Sequence, residues 1–305
     1  MARARDAEPL HRIESEGAQE ERVVVTSTRE EAEVVAGIDP GAPADYRLLA
    51  ARLALAWTQS KPRRVGLAGG QGAGKSTLAR LLVEACEAVG LRAAVLGIDD
   101  FYRTKVERQT LGASVHPLFE TRGPPGTHDV EWCREALERL LGPGSFECPV
   151  FDKGRDDRAG VVRLEGPFDL VVLEGWCVGA TPVADRALLE PVNPLEAELD
   201  PEGIWRREVN DRLAKEYAEL WSGLDELVFL QVPGLDAVRR WRLQQESSLP
   251  RDRRLDAAAV DRFVQHYERV TRAMLASLPG YADWTVVLDW DHSVSRVDRR
   301  VEGSG

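Results

Sequence analysis

No uncharged apolar run in the 305-residue sequence approaches the roughly 18–20 residues that a membrane span needs. Cysteine is scarce. Cys86, Cys133, Cys148 and Cys177 are scattered, with no C-x-x-C pair. That excludes a cysteine metal site or a disulfide framework and points to buried thiols in a reducing compartment. Positive charge is in deficit: the net charge of −11 argues against nucleic-acid binding, because a polyanion would be repelled. Met1–Arg12 has early arginines but no apolar segment, so no secretory signal is expected. Asp6 and Glu8 argue against an acid-poor transit peptide. No internal repeat is visible. The 43% of hydrophobic residues exceeds what a fully disordered chain carries. A cytoplasmic, acidic protein without a membrane segment is the expectation.

Along the chain, residues 1–42 are polar and read as a tail, with Val23–Val25 as its one short strand-like run. Residues 43–305 read as a single domain. Tyr46, Leu49, Leu53 and Trp57 recur at helical spacing until Lys61–Pro62. Arg64–Ala68 is a strand. A helix follows through Leu78, Leu81, Leu82, Ala85 and Val89, which Gly90 stops. Ala93–Ile98, Asp169–Leu173, Glu226–Val232 and Thr285–Trp290 are further strands, and Pro149–Phe151 is extended. Glu131–Leu141 and Gly203–Trp221 are helices, as are stretches starting at Asp236 and Asp256. Strands alternating with helices imply an α/β fold with a mainly parallel sheet.

The sharpest signal is Gly69-Gly70-Gln71-Gly72-Ala73-Gly74-Lys75-Ser76, which fits G-x-x-x-x-G-K-[ST] between a strand and a helix. Glycines let successive backbone N–H groups converge on one anion, and the helix start adds its positive dipole end. Lys75 would reach the outer phosphates, Ser76 would supply a hydroxyl to Mg²⁺, and Thr77 completes the donor-binding set. A guanine-reading [NT]-K-x-D is absent; Thr104-Lys105-Val106-Glu107 lacks the Asp. That disfavours a GTPase switch.

Asp99-Asp100-Phe101-Tyr102 follows the next strand, aimed at the same sheet edge as the loop. A kinase needs a carboxylate there to orient an acceptor hydroxyl, take its proton or help hold Mg²⁺. The plain alternative is a turn at a strand end. Glu174 ends another strand, and both Mg²⁺ and substrate contact are open to it. The loops 122–129 and 151–158 carry Arg122, His128, Lys153 and Arg158 beside Gly and Pro turns, as a clamp for a carboxylate or phosphate would. Exposed charged loops are the alternative. Arg239, Arg240 and Arg242, with Arg251, Arg253 and Arg254 downstream, could close over the phosphates or simply pair with surface acids. Trp176 and Trp241 could wall the site or pack in the core. His266 reads as structural.

In order, I-D-D-F-Y (98–102), R-G-P-P-G-T-H-D (122–129), P-V-F-D-K (149–153), L-E-G-W (173–176) and R-W-R-L-Q-Q-E (240–246) resemble the D-glycerate 3-kinases. That family lies within the phosphoribulokinase/uridine kinase/pantothenate kinase group. The resemblance covers Pro43 to Asp291. It implies a three-layer P-loop fold with a five-stranded parallel core, a helical lid at about 236–258, and ATP with Mg²⁺ as donor. By resemblance, Asp99 takes the place of the acceptor-activating Asp. Lys75 and Arg242 would act with it, and Arg239 would contact the nucleotide from the lid. Asp100, Tyr102, Arg122, His128, Lys153, Arg158 and Glu174 would face the acceptor, and Ser76, Asp99 and Glu174 the metal. Phe151 stands where the group often has Tyr, so a phenol contact is lost. Phosphorylation of D-glycerate to 3-phosphoglycerate is the leading expectation. A nucleoside or pantothenate-type kinase is the nearest rival, and a regulatory ATPase is the rival of another class.

Overall fold

A computed structural model describes residues 20–22, 27–248 and 254–300. The Val23–Val25 run, Arg251 and Arg253 lie outside the described residues. A seven-stranded sheet runs β1 (Glu20–Arg22), β9 (Val294–Arg300), β8 (Trp284–Leu288), β7 (Glu226–Gln231), β2 (Arg64–Gly69), β6 (Leu170–Gly175), β3 (Ala93–Gly97). The five strands from β8 to β3 are parallel, as expected. Two antiparallel strands, β9 and β1, extend the β8 side and were not foreseen.

The central strands are apolar throughout because both faces are covered. Leu170 and Val172 of β6, and Val228 and Leu230 of β7, join one core with Val65 and Leu67 of β2. Helices α1 (Arg29–Ala36), α2 (Ala44–Ser60), α3 (Lys75–Ala88) and α9 (Leu235–Ser248) cover that face. Val171 and Leu173, with Leu227 and Phe229, join the other core. There α5 (Val130–Arg139), α10 (Ala257–Ser277) and a long broken helix pack. The last is α7 (Ile204–Arg212), a π-type turn over Leu213–Tyr217 and α8 (Ala218–Ser222). Two short helices, α4 (Lys105–Ser114) and α6 (Pro194–Leu199), lie in the connections. The layers are thus α/β/α. Among the described residues no helix is long and apolar enough to cross a membrane.

Two expectations need correction. The polar tail is folded from residue 29 on: Thr28 and Glu31 form a capping box on α1, which buries Val34 and delivers Ile38 into the core. The 151–158 segment is not a free loop but the tip of an antiparallel hairpin, β4 (Gly144–Asp152) with β5 (Asp157–Gly166). Its turn is tied by Gly154 N–H and Arg155 N–H donating to Asp152 Oδ1. Thr104 to Glu107, compared above with a guanine motif, is the capping box that starts α4. The four cysteines are free and buried, as expected.

The chain leaves β2 towards β3 on one side of the sheet and leaves β6 towards β7 on the other. The crevice beyond the carboxyl ends of β2, β6 and β3 is therefore a switch point, where ligands bind in open α/β sheets.

Candidate active site

The donor half is one contiguous stretch. Gly72 (φ +79°) and Gly74 (φ +82°) adopt left-handed conformations that turn the loop into the start of α3. Lys75 Nζ donates to Gly70 O at 3.0 Å, the one hydrogen bond its ammonium makes among the described residues. Burial pulls the Lys75 ammonium below its ordinary pKa against the opposing pull of Glu174 and Asp99. A bound polyphosphate would relieve that. Ser76 Oγ donates to Glu174 Oε1 at 3.0 Å, which joins the loop to the end of β6. No group of three or more His, Cys, Asp or Glu is placed to hold an ion alone among the described residues. The chemistry still suits Mg²⁺, which takes one or two protein oxygens and fills its shell with phosphate oxygens and water.

Neighbouring elements fix this loop. Tyr46 of α2 donates its hydroxyl to Ala73 O at 2.9 Å. Trp241 of α9 is buried on Gly72, where a Cβ would lie 2.7 Å from the Trp241 Cβ. The Trp241 ring stacks on His292, 4.2 Å between centroids, and its Nε1 donates to Trp290 O at 3.0 Å. Tyr46, Gly74, Thr77, Gln245, His292 and Ser293 line a cleft of about 410 Å³ beside the loop. Sequence spacing marked Tyr46 only as a helix-core residue. Nothing local in the sequence singled out His292.

The acceptor half is assembled from distant segments. Asp99 sits in a short 3-10 turn after β3. Its Oδ1 accepts from Tyr102 OH at 2.9 Å, and its Oδ2 accepts from Lys153 Nζ at 2.7 Å across the hairpin tip. Burial would raise the Asp99 carboxyl, but Lys153 and the Tyr102 hydrogen bond outweigh it and hold it below the ordinary value. Burial instead raises Asp100, although Asp100 Oδ1 accepts from Phe151 N–H at 3.3 Å. The two carboxylates therefore differ: one is kept ionised, the other is biased towards its acid form.

The 122–129 segment is a rigid wall. Gly123–His128 are buried. Trp176 Nε1 donates to Gly123 O at 3.1 Å, and Tyr267 OH donates to Arg122 O at 3.1 Å. A Cβ at Gly123 would overlap the Tyr267 hydroxyl. His128 stacks on Tyr102 at 4.5 Å, and burial lowers its pKa to about 4 despite nearby Asp99, so the ring is neutral. Tyr217 and Tyr267 are parts of this wall that sequence reasoning missed, because a Tyr at helical spacing reads as core.

The structure brings Lys75, Ser76, Asp99, Asp100, Tyr102, His128, Lys153 and Glu174 to one crevice. Other predicted residues are engaged with the framework. Arg158 donates to Tyr102 O at 2.9 Å and pairs with Asp129 at 3.2 Å. Arg122 pairs with Asp156 of the hairpin tip. Arg239 pairs with Asp236 at 3.2 Å and with buried Glu268 at 3.5 Å. Arg242 pairs with Glu246 and lies 5.0 Å over the Phe263 ring. Arg239 thus faces acids of α9 and α10, and Arg242 an acid of α9.

No protein-family profile matches the chain. Among known proteins, it is 31% identical over 225 residues to the uncharacterized kinase mug58 of Schizosaccharomyces pombe, covering 68% of this chain and 79% of that one. It is 30% identical over 234 residues to the chloroplastic D-glycerate 3-kinase of Arabidopsis thaliana, 71% of this chain and about half, 48%, of that one. The solved D-glycerate 3-kinase of Cryptococcus neoformans is similar with a TM-score of 0.68 at 26% identity, over 85% of this chain and 100% of that one. With a phosphate loop after β2, carboxylates after β3 and at the end of β6, and this degree of likeness, the chain belongs to the D-glycerate 3-kinase family of P-loop kinases.

Proposed function

We propose that the protein transfers the γ-phosphoryl group of ATP to the primary hydroxyl of D-glycerate, giving 3-phosphoglycerate and ADP in the cytoplasm. The observation that carries this reading is the Lys153–Asp99 contact of 2.7 Å. It sets a cation beside a hydroxyl-orienting carboxylate, which suits a small alcohol whose other end is an anion. Relatives named D-glycerate 3-kinases support the acceptor.

The loop N–H groups and Lys75 would bind the phosphates, Ser76 and Glu174 would hold Mg²⁺, and the cleft along Tyr46 and His292 would take the base. ATP with Mg²⁺ supplies the phosphoryl group. Asp99, kept ionised, accepts the hydrogen bond of the attacking hydroxyl and orients it. Transfer through a loose transition state asks for positioning and charge neutralisation more than for a strong base. Lys153 holds the carboxylate, and Arg122 would join it on turning from Asp156. Arg239 and Arg242 would turn from their acids to the phosphates by side-chain rotation, since α9 already rests on the loop through Trp241.

An ADP-release assay over D-glycerate, glycerol, uridine, cytidine and pantothenate tests this. Glycerol has the hydroxyl without the carboxylate, so it would make no charge-assisted contact with Lys153. Its kcat/KM is expected at least about 10²-fold below that of D-glycerate. Turnover of uridine or pantothenate with none of glycerate would overturn the reading.

A further inference from the structure

The hydrogen bonds of His128 do not close. Its side chain has no exposure, Nδ1 lies 2.6 Å from the Tyr217 hydroxyl, and Nε2 is buried without a partner among the described residues. The Tyr217 hydroxyl also accepts the Gly126 N–H at 2.9 Å. A phenol has one hydrogen to give. With Gly126 donating to it, that hydrogen goes to His128 Nδ1, and the imidazole proton is then on Nε2. In the opposite arrangement Nδ1–H would donate to Tyr217. The phenolic hydrogen would then have no acceptor and Nε2 would be bare, which leaves two loose ends in a buried site instead of one.

We infer that Tyr217 is a positioning residue that fixes His128 as the Nε2–H tautomer and so keeps one uncharged hydrogen-bond donor for an oxygen of the acceptor. The location fits. The His128 ring lies on Tyr102, whose hydroxyl bonds Asp99, so the ring is one side chain away from the carboxylate that would orient the reacting hydroxyl. The delivery of Tyr217 fits as well. It ends the π-type turn Leu213–Tyr217, a rare local geometry that re-aims side chains and concentrates at functional sites. The inference rests on the glycerate reading only for which oxygen is met. In a hydroxy acid it is an oxygen of the carboxylate end, since the reacting hydroxyl belongs to Asp99.

Long-range ¹H–¹⁵N correlation spectra separate protonated from bare ring nitrogens, and His128→Gln identifies the His128 signals by their loss. The expected spectrum of the unsubstituted protein shows Nε2 protonated and Nδ1 bare. Tyr217→Phe should mix the tautomers. Nδ1 protonated in the unsubstituted protein would overturn the inference, whatever the variants do. Kinetics give a second readout, because Gln carries an amide where Nε2 was and Asn carries one where Nδ1 was. His128→Asn should raise the acceptor KM about tenfold, the scale of one hydrogen bond, and Tyr217→Phe about twofold for evenly mixed tautomers, with the ATP KM unchanged in both. His128→Gln should lose less than His128→Asn. Equal losses would count against the donor role. The kinetics use whichever acceptor the screen finds. An Nε2–H tautomer with no glycerate turnover therefore sinks the glycerate reading alone, and a reversed tautomer with glycerate turnover sinks this inference alone.

Discussion

Asp99 accepts two hydrogen bonds, from Tyr102 and Lys153, that work against its burial. Asp99→Asn keeps the shape and removes the charge. It should lower kcat by roughly 10²–10⁴-fold and leave the ATP KM nearly unchanged. Steady-state kinetics with both substrates varied will check this, and a crippled Asp100→Asn beside an active Asp99→Asn would exchange the two roles. His128 makes a second residue-scale prediction. Its folded pKa is about 4, against an ordinary 6.5. Between those values the unfolded chain binds a proton that the folded chain refuses. This contribution to stability is present above pH 6.5 and is lost as pH falls towards 4, by up to about 3 kcal/mol. Urea unfolding from pH 7 to 4 should show a shallower fall in His128→Gln. Residues in contiguous strings, from Gly69 to Ser76 and at Asp99, Asp100 and Glu174, were legible because each string states its own chemistry. Tyr217 and Tyr267 were not, because their roles come from what the fold sets opposite them 89 and 145 residues away.

At the scale of elements, α9 rests directly on the phosphate loop, and Gly72 is the point of contact. Gly72→Ala adds a Cβ at 2.7 Å from Trp241 in a left-handed residue. Stability should fall by about 1–3 kcal/mol, and the stabilisation that ATP gives should shrink with it. Differential scanning calorimetry with and without nucleotide measures both. An unchanged nucleotide shift would mean that α9 and the loop are independent. Elements with one apolar stripe were readable, α3 and α10 among them. The hairpin was not. β4 contains Gly144 and Pro149, and β5 leaves adjacent Val161 and Val162 both exposed, so neither strand alternates cleanly. β9 reads V-S-R-V-D-R-R and buries only Val297 among its apolar residues, because it lies near the sheet margin. Short polar helices α1 and α4 are announced only by their capping boxes.

Across the whole molecule, the parallel sheet followed from strand–helix alternation and its five core strands from the family resemblance, while their order came only with the structure. So did the start of the folded body, because composition between residues 29 and 42 is polar while two side chains there enter the core. Val34 is 6% exposed and Ile38 is 1% exposed. A chain beginning at Pro43 should be less stable than one beginning at Ser27 by about 3–6 kcal/mol, at roughly 1.5–3 kcal/mol per buried aliphatic side chain. Equal melting temperatures for the two would show α1 to be dispensable. The split between a contiguous donor half and a scattered acceptor half has a consequence for descent and redesign. The nucleotide machinery can be inherited or transplanted as one unbroken cassette, from β2 into α3. On the proposed reading, acceptor preference is divided among the turn at Asp99, the Gly123 wall, the hairpin tip and two tyrosines on separate helices, so it would shift by separate small substitutions. A designer who wants a different alcohol phosphorylated should leave residues 64–77 alone and rewrite the hairpin tip, which lies outside the main sheet and whose Lys153 bonds Asp99.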